Sequence, residues 1–240
     1  MEVRRPKFVP DSALSRNEMK GLQREIAATA TFGTEVSSCK TVCGIDQAFF
    51  DEQAISAAIA MQDGEIIEQQ TAVEPVNIPY IPGLLAFREG NPVISALKKL
   101  TISPDCLLFD GSGRIHFREA GLATHIGVIF DIPTIGVTKN LLCGTPKQSV
   151  DNLSSGEMVP IEADGDMSAD TGDIVGYAVQ TRTFDSSSRH INPVYVSPGH
   201  KTGARQAATI ALDACRQYKL PEPVRQADSA VSSIAAERRD

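Results

Sequence analysis

Three consecutive strand-like segments constrain the fold most strongly, because only short polar segments join them. They run from Thr41 to Phe50, from Ala54 to Met61 and from Glu65 to Val73. Asp63-Gly64, between the second and third segments, is a strong signal for a tight hairpin turn. We therefore predict that this part of the chain forms an antiparallel meander.

The pattern on either side of the meander completes the predicted architecture. An amphipathic helix over about residues 12–30, with Ser12 as its N-cap, precedes it. After it come a helix over about residues 84–100, a strand over 106–109, a helix over 120–130 and a strand over 134–137. Such alternation indicates parallel strands joined by crossover helices. We therefore predict an α/β fold with a mixed sheet and helices on both faces.

The C-terminal part of the chain contains further predicted elements. Residues 144–172 are rich in Ser, Asp and Gly, so we predict a surface excursion there rather than a domain boundary. Strands over 174–181 and 193–197, a helix over 203–218 and a final helix after Pro221 follow. We expect residues 229–240 to be a frayed tail and residues 1–240 to form a single domain.

The composition is ordinary for a globular protein of 240 residues, with 42% hydrophobic and 22% charged residues. No apolar run approaches the roughly 20 residues of a spanning helix, and the N-terminus has no secretory pattern, so we expect a cytoplasmic protein without a membrane partner. The five cysteines are odd in number and scattered, which favours reduced structural thiols. A net charge of −7 argues against broad coating of nucleic acid but leaves room for a local groove.

Four carboxylates are the most informative chemical feature. Asp46 lies inside an apolar strand-like run, Glu89 opens a helix, Asp110 ends a buried strand and Asp228 lies near the C-terminus. Burying several carboxylates together is costly unless a divalent cation neutralises them, and oxygen ligands of this kind suit Mg²⁺ or Mn²⁺. Taken singly, Asp46 could instead cap a strand end and Asp110 could form an Asx turn. Together the four indicate metal-assisted chemistry on phosphate.

The segment of residues 79–90 combines an aromatic residue with two bracketing prolines. In Pro79-Tyr80-Ile81-Pro82 the prolines stiffen the chain, which predicts a protruding loop with an apolar tip. Such a wedge can enter a duplex, since apolar side chains between base steps offset the loss of stacking with new contacts. Alone, the segment is better explained as a proline-rich crossover connection, but the carboxylate of Glu89 a few residues later favours the wedge.

Six motifs follow one another along the chain. They are Gly44-Ile45-Asp46; PYIPGLLAFREG at residues 79–90; Asp110-Gly111-Ser112-Gly113 with His116, Arg118, Gly121, Ala123, His125 and Gly127 behind it; PTIGVTK at 133–139; SPGH at 197–200; and PEPVRQAD at 221–228. In this order and spacing they resemble the endonuclease V family, the deoxyinosine-directed nucleases of the RNase H-like superfamily. The resemblance extends from about Val42 to Asp228 and is very specific.

The resemblance implies a role for each matching residue. The implied catalytic residues are Asp46, Glu89, Asp110 and Lys139, with the three acids binding Mg²⁺, for which Mn²⁺ could substitute, and Asp228 as a further metal-site residue. Lys139 would contact the scissile phosphate or help to position the attacking water. The implied contacts to DNA and to a flipped hypoxanthine are Pro79, Tyr80, Ile81, Pro82, Gly83, Leu85, Gly111, Ser112, Gly113 and His116. For His116 and His200, a structural hydrogen bond to local backbone is an equally good explanation.

Two residues depart from the family pattern. Phe117 stands where the family usually has proline, and Arg114 stands where a small or apolar residue is common. Both changes bear on the shape of the base pocket, and the extra arginine could add affinity for phosphate or alter substrate preference. Because the carboxylates are intact, loss of activity is not implied.

The function implied by the resemblance is a metal-dependent endonuclease that recognises deoxyinosine in DNA. It would hydrolyse the second phosphodiester bond 3′ to the lesion, leave 3′-hydroxyl and 5′-phosphate ends, and so initiate repair. Three alternatives stay open: a nuclease for inosine-containing RNA or branched nucleic acid, a non-cleaving protein that binds inosine-containing strands, and an α/β protein that binds a small phosphorylated metabolite. A single-domain nuclease without an obvious exposed apolar stripe is expected to be a monomer.

Overall fold

The computed structural model describes residues 1–183 and 192–238, and within them nine strands form one sheet. The strands are β1 (Thr41–Phe50), β2 (Gln53–Gln62), β3 (Glu65–Pro75), β4 (Cys106–Asp110), β5 (Thr134–Thr138), β6 (Thr145–Pro146), β7 (Met158–Glu162), β8 (Ile174–Val179) and β9 (Val194–His200). Their order across the sheet is β3-β2-β1-β4-β5-β9-β8-β7-β6. Strands β1, β4 and β5 are parallel and their other neighbours are antiparallel, so the predicted mixed sheet is confirmed.

Helices cover both faces of this sheet, as predicted. In the described residues they are a 3-10 helix (Pro6–Phe8), α1 (Arg16–Thr29), α2 (Leu85–Lys99), α3 (Leu122–Phe130), α4 (Ala204–Asp213) and α5 (Glu222–Glu237). Leu107 and Phe109 of β4 belong to the core that includes α2 and α3, whereas Cys106 and Leu108 belong to the core that includes α4. Because side chains alternate along a strand, one apolar run supplies both cores.

The predicted meander forms from β1, β2 and β3. β2 pairs antiparallel with β1 on one side and with β3 on the other. Asp63 and Gly64, between β2 and β3, have φ values of 52° and 89°. Two consecutive positive φ values match the twist of a two-residue hairpin, which explains why Asp-Gly was an effective signal.

The parallel pairing brings strand ends to one edge of the sheet. Between β1 and β4 the register places Ile45 beside Phe109. Asp46 and Asp110 each follow one residue later, so they lie side by side on adjacent strands. Lys139 comes directly after β5, which is parallel to β4 and ends at the same edge.

Helix α1 begins later than predicted. Ser15, rather than Ser12, is its N-cap, since the Ser15 hydroxyl accepts the Glu18 backbone N–H at 3.4 Å. In return the Glu18 carboxylate accepts the Ser15 backbone N–H at 2.8 Å. This reciprocal capping box satisfies two amide groups that have no partner within the helix, and it fixes where the helix begins.

The surface excursion predicted for residues 144–172 is wrong in part. This stretch contributes β6 and β7, which pair with each other, and β7 also pairs with β8. Val159, Ile161 and Met167 are buried in a small core with Ile115. Dispersed apolar residues in a polar stretch therefore supply one side of a core whose other side comes from residues distant in sequence.

The frayed tail predicted for residues 229–240 is also corrected. Helix α5 continues to Glu237, and its residues Val231 and Ala235 are buried in a core with β2. Residues 239–240 lie outside the described residues. The helix predicted for residues 203–218 is shorter than expected, because α4 ends at Asp213.

Two compositional points complete the description. All five cysteines are free thiols, and Cys43 and Cys106 are fully buried. Among the described helices, none combines the length and the apolar character needed to cross a membrane.

Candidate active site

The four predicted carboxylates converge on the sheet edge described above. Asp46 and Asp110 lie on the face of the sheet that α5 covers, and Asp228 is a residue of α5. Helix α5 approaches β1 closely because of Gly44, where a Cβ atom would lie 2.0 Å from the Pro223 carbonyl carbon. This close packing brings Asp228 within hydrogen-bonding reach of Asp46.

Glu89 reaches the same edge from the opposite face. It lies in the second turn of α2, and the Gln47 side-chain amide donates to Glu89 Oε2 at 3.2 Å. Gln47 follows Asp46 on β1 and interacts with both acids, through its side-chain amide with Glu89 and through its backbone with Asp46. The next residue of the helix, Gly90, packs against the Pro10 ring, where a Cβ atom would come within 2.6 Å. This contact holds the start of α2 in place.

The acids are held in an environment that disfavours their charge. Burial, together with the neighbouring charge of Asp110, raises the pKa of Asp46 to about 7. Burial also raises the pKa of Glu89 to about 8; Arg88 opposes this shift, while Asp46 and Asp110 add to it. Burial and mutual repulsion therefore favour the protonated forms of Asp46 and Glu89.

Lys139 is the single cation that forms an ion pair with any of these four carboxylates in the described part of the chain. Its Nζ lies 3.2 Å from Asp110 Oδ2, and the lysine side chain remains 52% exposed. The charge of Asp110 raises the pKa of Lys139, so its ammonium form is favoured. One lysine compensates for only one of the four acids.

The donor set fits a hard divalent cation. Each of the four acids supplies carboxylate oxygens, which suit Mg²⁺ or Mn²⁺, and a cation would relieve the repulsion that raises the pKa values of Asp46 and Glu89. No three His, Cys, Asp or Glu side chains in residues 1–183 and 192–238 already stand in positions that hold a metal ion.

A cavity of about 290 Å³ adjoins Asp110. Of the predicted base-binding residues, those that line it are Tyr80, Gly83, Leu85, Gly111, Ser112 and His116. No base-binding role was predicted for the other lining residues, which are Gln23, Ala86, Ala120, Gly121, Leu122, Thr138, Asn140, Leu141 and Leu142. The cavity is thus largely apolar, with polar groups at a few points, and one acid of the cluster forms part of its wall.

The predicted wedge projects beside this cavity. Tyr80 is 67% exposed, and Pro79 and Pro82 on either side of it are exposed as well. Ile81 is half-buried and packs against a small core formed by α1 and the start of α2. Pro79, Ile81 and Pro82 do not line the cavity, so the loop is an anchored projection in which Tyr80 alone faces both solvent and cavity.

The base of the wedge is fixed by one carbonyl oxygen. Gly83 O accepts hydrogen bonds from Gln23 Nε2 at 3.0 Å, from His116 Nε2 at 3.1 Å and from Arg118 Nη2 at 2.7 Å. Gly83 has a φ of 74°, a conformation that favours glycine. The Gln23 amide also donates to Ala120 O at 3.3 Å and accepts from Arg118 Nε at 2.7 Å.

Gln23 is the residue of this group that sequence reasoning missed. A signal was present, because Met19, Gln23 and Ile26 lie at helical spacing and all three are buried in α1. A lone amide on the buried stripe of an amphipathic helix needs hydrogen-bond partners inside the protein. The loop carbonyl that it meets could not be identified from the sequence.

The two histidines considered earlier have hydrogen-bonded rings. His116 Nδ1 accepts the backbone N–H groups of Arg118 at 3.1 Å and Ala120 at 3.4 Å, which complements the Nε2–H donated to Gly83. Burial lowers the pKa of His116 to about 4, so the ring is neutral near pH 7. His200 is bonded to Thr31 N–H and to Asp131, away from the carboxylate group. His116 therefore positions the cavity wall, and His200 is structural.

The departures at Arg114 and Phe117 lie behind the cavity wall. The Arg114 guanidinium is bonded to Glu119 at 2.7 Å and to Asp173 at 3.0 Å, and neither Arg114 nor Phe117 lines the cavity. The extra arginine is therefore not available to bind phosphate in this arrangement. The Phe117 ring instead packs beside Gly83.

Gly113 does not line the cavity either. Its backbone N–H donates to Ser197 Oγ at 3.0 Å, and a Cβ atom at this position would lie 2.3 Å from Pro198 O. Glycine is required here so that the loop after β4 can pack against β9. Of the predicted glycine loop, only Gly111 and Ser112 therefore face the cavity.

A family model and several known proteins resemble this chain. The model, described as endonuclease V, matches residues 20–229. A protein of Natronomonas pharaonis named endonuclease V is 50% identical, and the alignment covers 100% of both chains. The crystal structure of the endonuclease V of Streptomyces avermitilis has a TM-score of 0.83 at 30% identity, again with 100% of both chains covered. Ciona intestinalis endonuclease V, crystallised with a 24mer DNA containing an inosine followed by a ribo-adenosine, shares the fold with a TM-score of 0.75 at 23% identity, covering 92% of this chain and 98% of that one.

Proposed function

This chain belongs to the endonuclease V family, and from that premise we propose that it is a metal-dependent endonuclease that cuts DNA containing deoxyinosine. One observation carries the proposal. In the part of the chain that the structure describes, four carboxylates with a single ion-paired lysine lie beside a cavity that has an exposed aromatic wedge at its edge. The acids and Lys139 would catalyse phosphodiester hydrolysis, and the cavity would bind an extruded base. The inosine-containing DNA bound by the Ciona protein supports the choice of ligand.

The cavity accounts for recognition of the base. An enzyme that reads one base inside a pocket must extrude that base from the duplex, and a base that pairs weakly is extruded at the lowest cost. Tyr80 would enter the space that the base leaves. The walls formed by Gly83, Gly111 and Gly121 let backbone groups approach the flat face and polar edge of hypoxanthine.

The residues around Asp110 account for hydrolysis. Asp46, Glu89 and Asp110 would hold the metal, with Asp228 beside them. The chemistry that a bound Mg²⁺ supplies is a lower pKa for coordinated water and compensation of negative charge on the phosphate. Lys139 Nζ, now 3.2 Å from Asp110 Oδ2, is placed to bind a non-bridging phosphate oxygen and to stabilise the charge that develops there.

The finer features of the proposal rest on the family resemblance. Cleavage occurs at the second phosphodiester bond 3′ to the lesion and leaves 3′-hydroxyl and 5′-phosphate ends. Mg²⁺ is the metal, with Mn²⁺ able to substitute. The protein acts as a cytoplasmic monomer in the repair of deaminated adenine.

End-labelled oligonucleotide duplexes test this function. Matched duplexes with and without a single deoxyinosine, and the corresponding inosine-containing RNA, are incubated with Mg²⁺ or with chelator. A single Mg²⁺-dependent nick on the 3′ side of the lesion in DNA is the expected result. Faster cleavage of the RNA would show that inosine-containing RNA is the preferred substrate. Tight binding without a nick would indicate a protein that binds inosine-containing strands without cleaving them.

A further inference from the structure

A second lysine, Lys219, is close enough to Lys139 for the two charges to interact. Lys219 is half-buried in the loop between α4 and α5, and burial and the nearby charge of Lys139 both lower its pKa. Across residues 1–183 and 192–238, its Nζ forms no hydrogen bond and no ion pair. Lys139 therefore interacts with the acid group through Asp110 and with the charge of Lys219.

The fold holds Lys219 at the same edge of the sheet as the acids. Pairing places Thr138 beside Tyr195 of β9, and Tyr195 beside Ala178 of β8, so the end of β8 lies level with the end of β5. Just beyond β8, the Thr181 hydroxyl donates to Lys219 O at 2.7 Å. This bond anchors the α4–α5 loop to the catalytic edge.

The ring of the neighbouring Tyr218 packs against Arg225 on one side and is partly exposed to solvent. Its side chain is 49% exposed, and the Arg225 guanidinium lies 4.3 Å from the ring centroid. Arg225 is itself held by Glu222, with Nε 2.8 Å from Oε2. A rigid stack of this kind restrains the tyrosine ring while much of its surface stays accessible to a ligand.

The charges of Lys139 and Lys219 together favour a bound anion. Two ammonium groups repel each other, and partial burial adds to the cost of an unpaired one, so an anion bound here would stabilise the arrangement of the described residues. The base cavity lies on the face covered by α1, α2 and α3, whereas Lys219 lies on the face covered by α4 and α5. The carboxylates stand between them, so a strand whose base enters the cavity passes the acids before it reaches Lys219.

We propose that Lys219 binds the backbone phosphate next to the cleaved one on its 3′ side, and that Tyr218 contacts the adjoining nucleoside. This inference rests on the proposed function, because that function places the base in the cavity and the cleaved bond at the acids. It adds a strand-binding surface on the far side of the acid group from the base cavity.

Binding of a deoxyinosine duplex at several salt concentrations tests the inference. Lys219→Ala is compared with the wild type, with Lys219→Arg and with Lys40→Ala, which removes an exposed lysine preceding β1. We expect Lys219→Ala to weaken binding about 10-fold and to lower the salt slope by about 1, as loss of one phosphate contact does. Lys219→Arg should restore most of the affinity, and Lys40→Ala should behave as the wild type.

A neutral methylphosphonate at the proposed phosphate identifies the contact. It should weaken wild-type binding to the same extent and cause no further loss in Lys219→Ala. An unchanged affinity and salt slope in Lys219→Ala, or fully additive losses with the methylphosphonate, would overturn the inference while leaving the proposed function in place. Failure of the wild type to distinguish the deoxyinosine duplex from its control would overturn both.

Discussion

At the scale of single residues, Asp46 is a carboxylate that the fold places in an unfavourable position. Its folded-state pKa of about 7 lies above the value of about 3.9 for an unfolded aspartate. The folded protein therefore binds this proton more tightly than the unfolded chain does. The carboxylate destabilises the fold progressively as the pH rises from about 4 to about 7, and fully above that range.

This linkage predicts the effect of Asp46→Asn on stability. In chelator, the variant should exceed the wild type in free energy of unfolding by on the order of 2 kcal/mol at about pH 8, and the gain should vanish near pH 4. Chemical denaturation across the pH range measures the difference. Asp51→Asn, at an exposed position in the β1–β2 turn, is the matched control and should show no such trend. A gain that does not depend on pH would refute the electrostatic explanation.

Lys139 gives a second prediction at this scale. Because its ammonium group is placed to stabilise charge on the phosphate, Lys139→Ala should lower the single-turnover cleavage rate by about 10²- to 10³-fold. Binding of the duplex should weaken much less, and Lys139→Arg should retain part of the rate. Equal losses in rate and affinity would show that Lys139 acts only in binding.

At the scale of elements, the wedge loop consists of an exposed tip on a fixed base. Tyr80 makes little contact with the protein, whereas the Gly83 carbonyl is held by three donors. The tip can therefore be changed without loss of stability, but the base cannot. Each half of the loop has its own test.

Tyr80→Ala tests the tip. We expect an unchanged free energy of unfolding and about a 10-fold loss in affinity for a duplex with one deoxyinosine, because the wedge offsets lost stacking. Most of this loss should disappear on single-stranded substrate, where no strands need to be separated. Parallel binding titrations of the two substrates decide the point, and equal losses on both would exclude strand separation as the role.

Gln23→Ala tests the base. The change removes the amide's bonds to two carbonyl groups and leaves Arg118 Nε without that partner, so we expect a loss of about 1–3 kcal/mol in the free energy of unfolding. Discrimination between deoxyinosine and control duplexes should also fall. Gln206→Ala is the control, because Gln206 bonds the backbone of Val36 through both side-chain atoms, away from the cavity. Equal discrimination in the two variants would rule out Gln23 as a positioning residue.

Elements were predicted well where local chemistry decides them. The meander followed from three strand-like segments with short polar joins and from Asp63-Gly64, whose positive φ values belong to the turn itself. Strand β7 was missed because its apolar residues, Val159 and Ile161, are buried by partners distant in sequence such as Ile115. The end of α5 was misjudged for the same reason, since Val231 becomes a core residue only against β2.

At the scale of the whole molecule, the sheet assembles a site from the full length of the chain. Ordered motifs in the sequence singled out the four acids, Lys139 and most of the wedge as candidates. They did not single out Gln23, Leu142 or Lys219, whose positions depend on which strand ends and loops meet at one edge. Gly113 marks the converse limit, since a glycine needed for packing against β9 has the same sequence signature as one that faces a ligand.

The whole molecule carries a net charge of −7, and this composition does not indicate a broad cationic surface. Nucleic acid must therefore be held by local features, which are the wedge, the loaded acid group and the lysines beside it. Under the proposed function, a bound metal would offset part of the negative charge where the phosphate would bind.

The proposed function requires that Asp46, Glu89 and Asp110 hold a metal ion. It also requires that the protein cleaves the strand close to an inosine that lies in the adjoining cavity. The most direct test is the single-turnover rate at which wild-type protein and Asp110→Asn nick one deoxyinosine duplex, with Mg²⁺ and with chelator. We expect a lesion-dependent nick by the wild type in Mg²⁺ alone, and a rate at least about 10³-fold lower in the variant despite cooperative folding and retained duplex binding. Nicking in chelator, or an undiminished rate in Asp110→Asn, would contradict the proposed function.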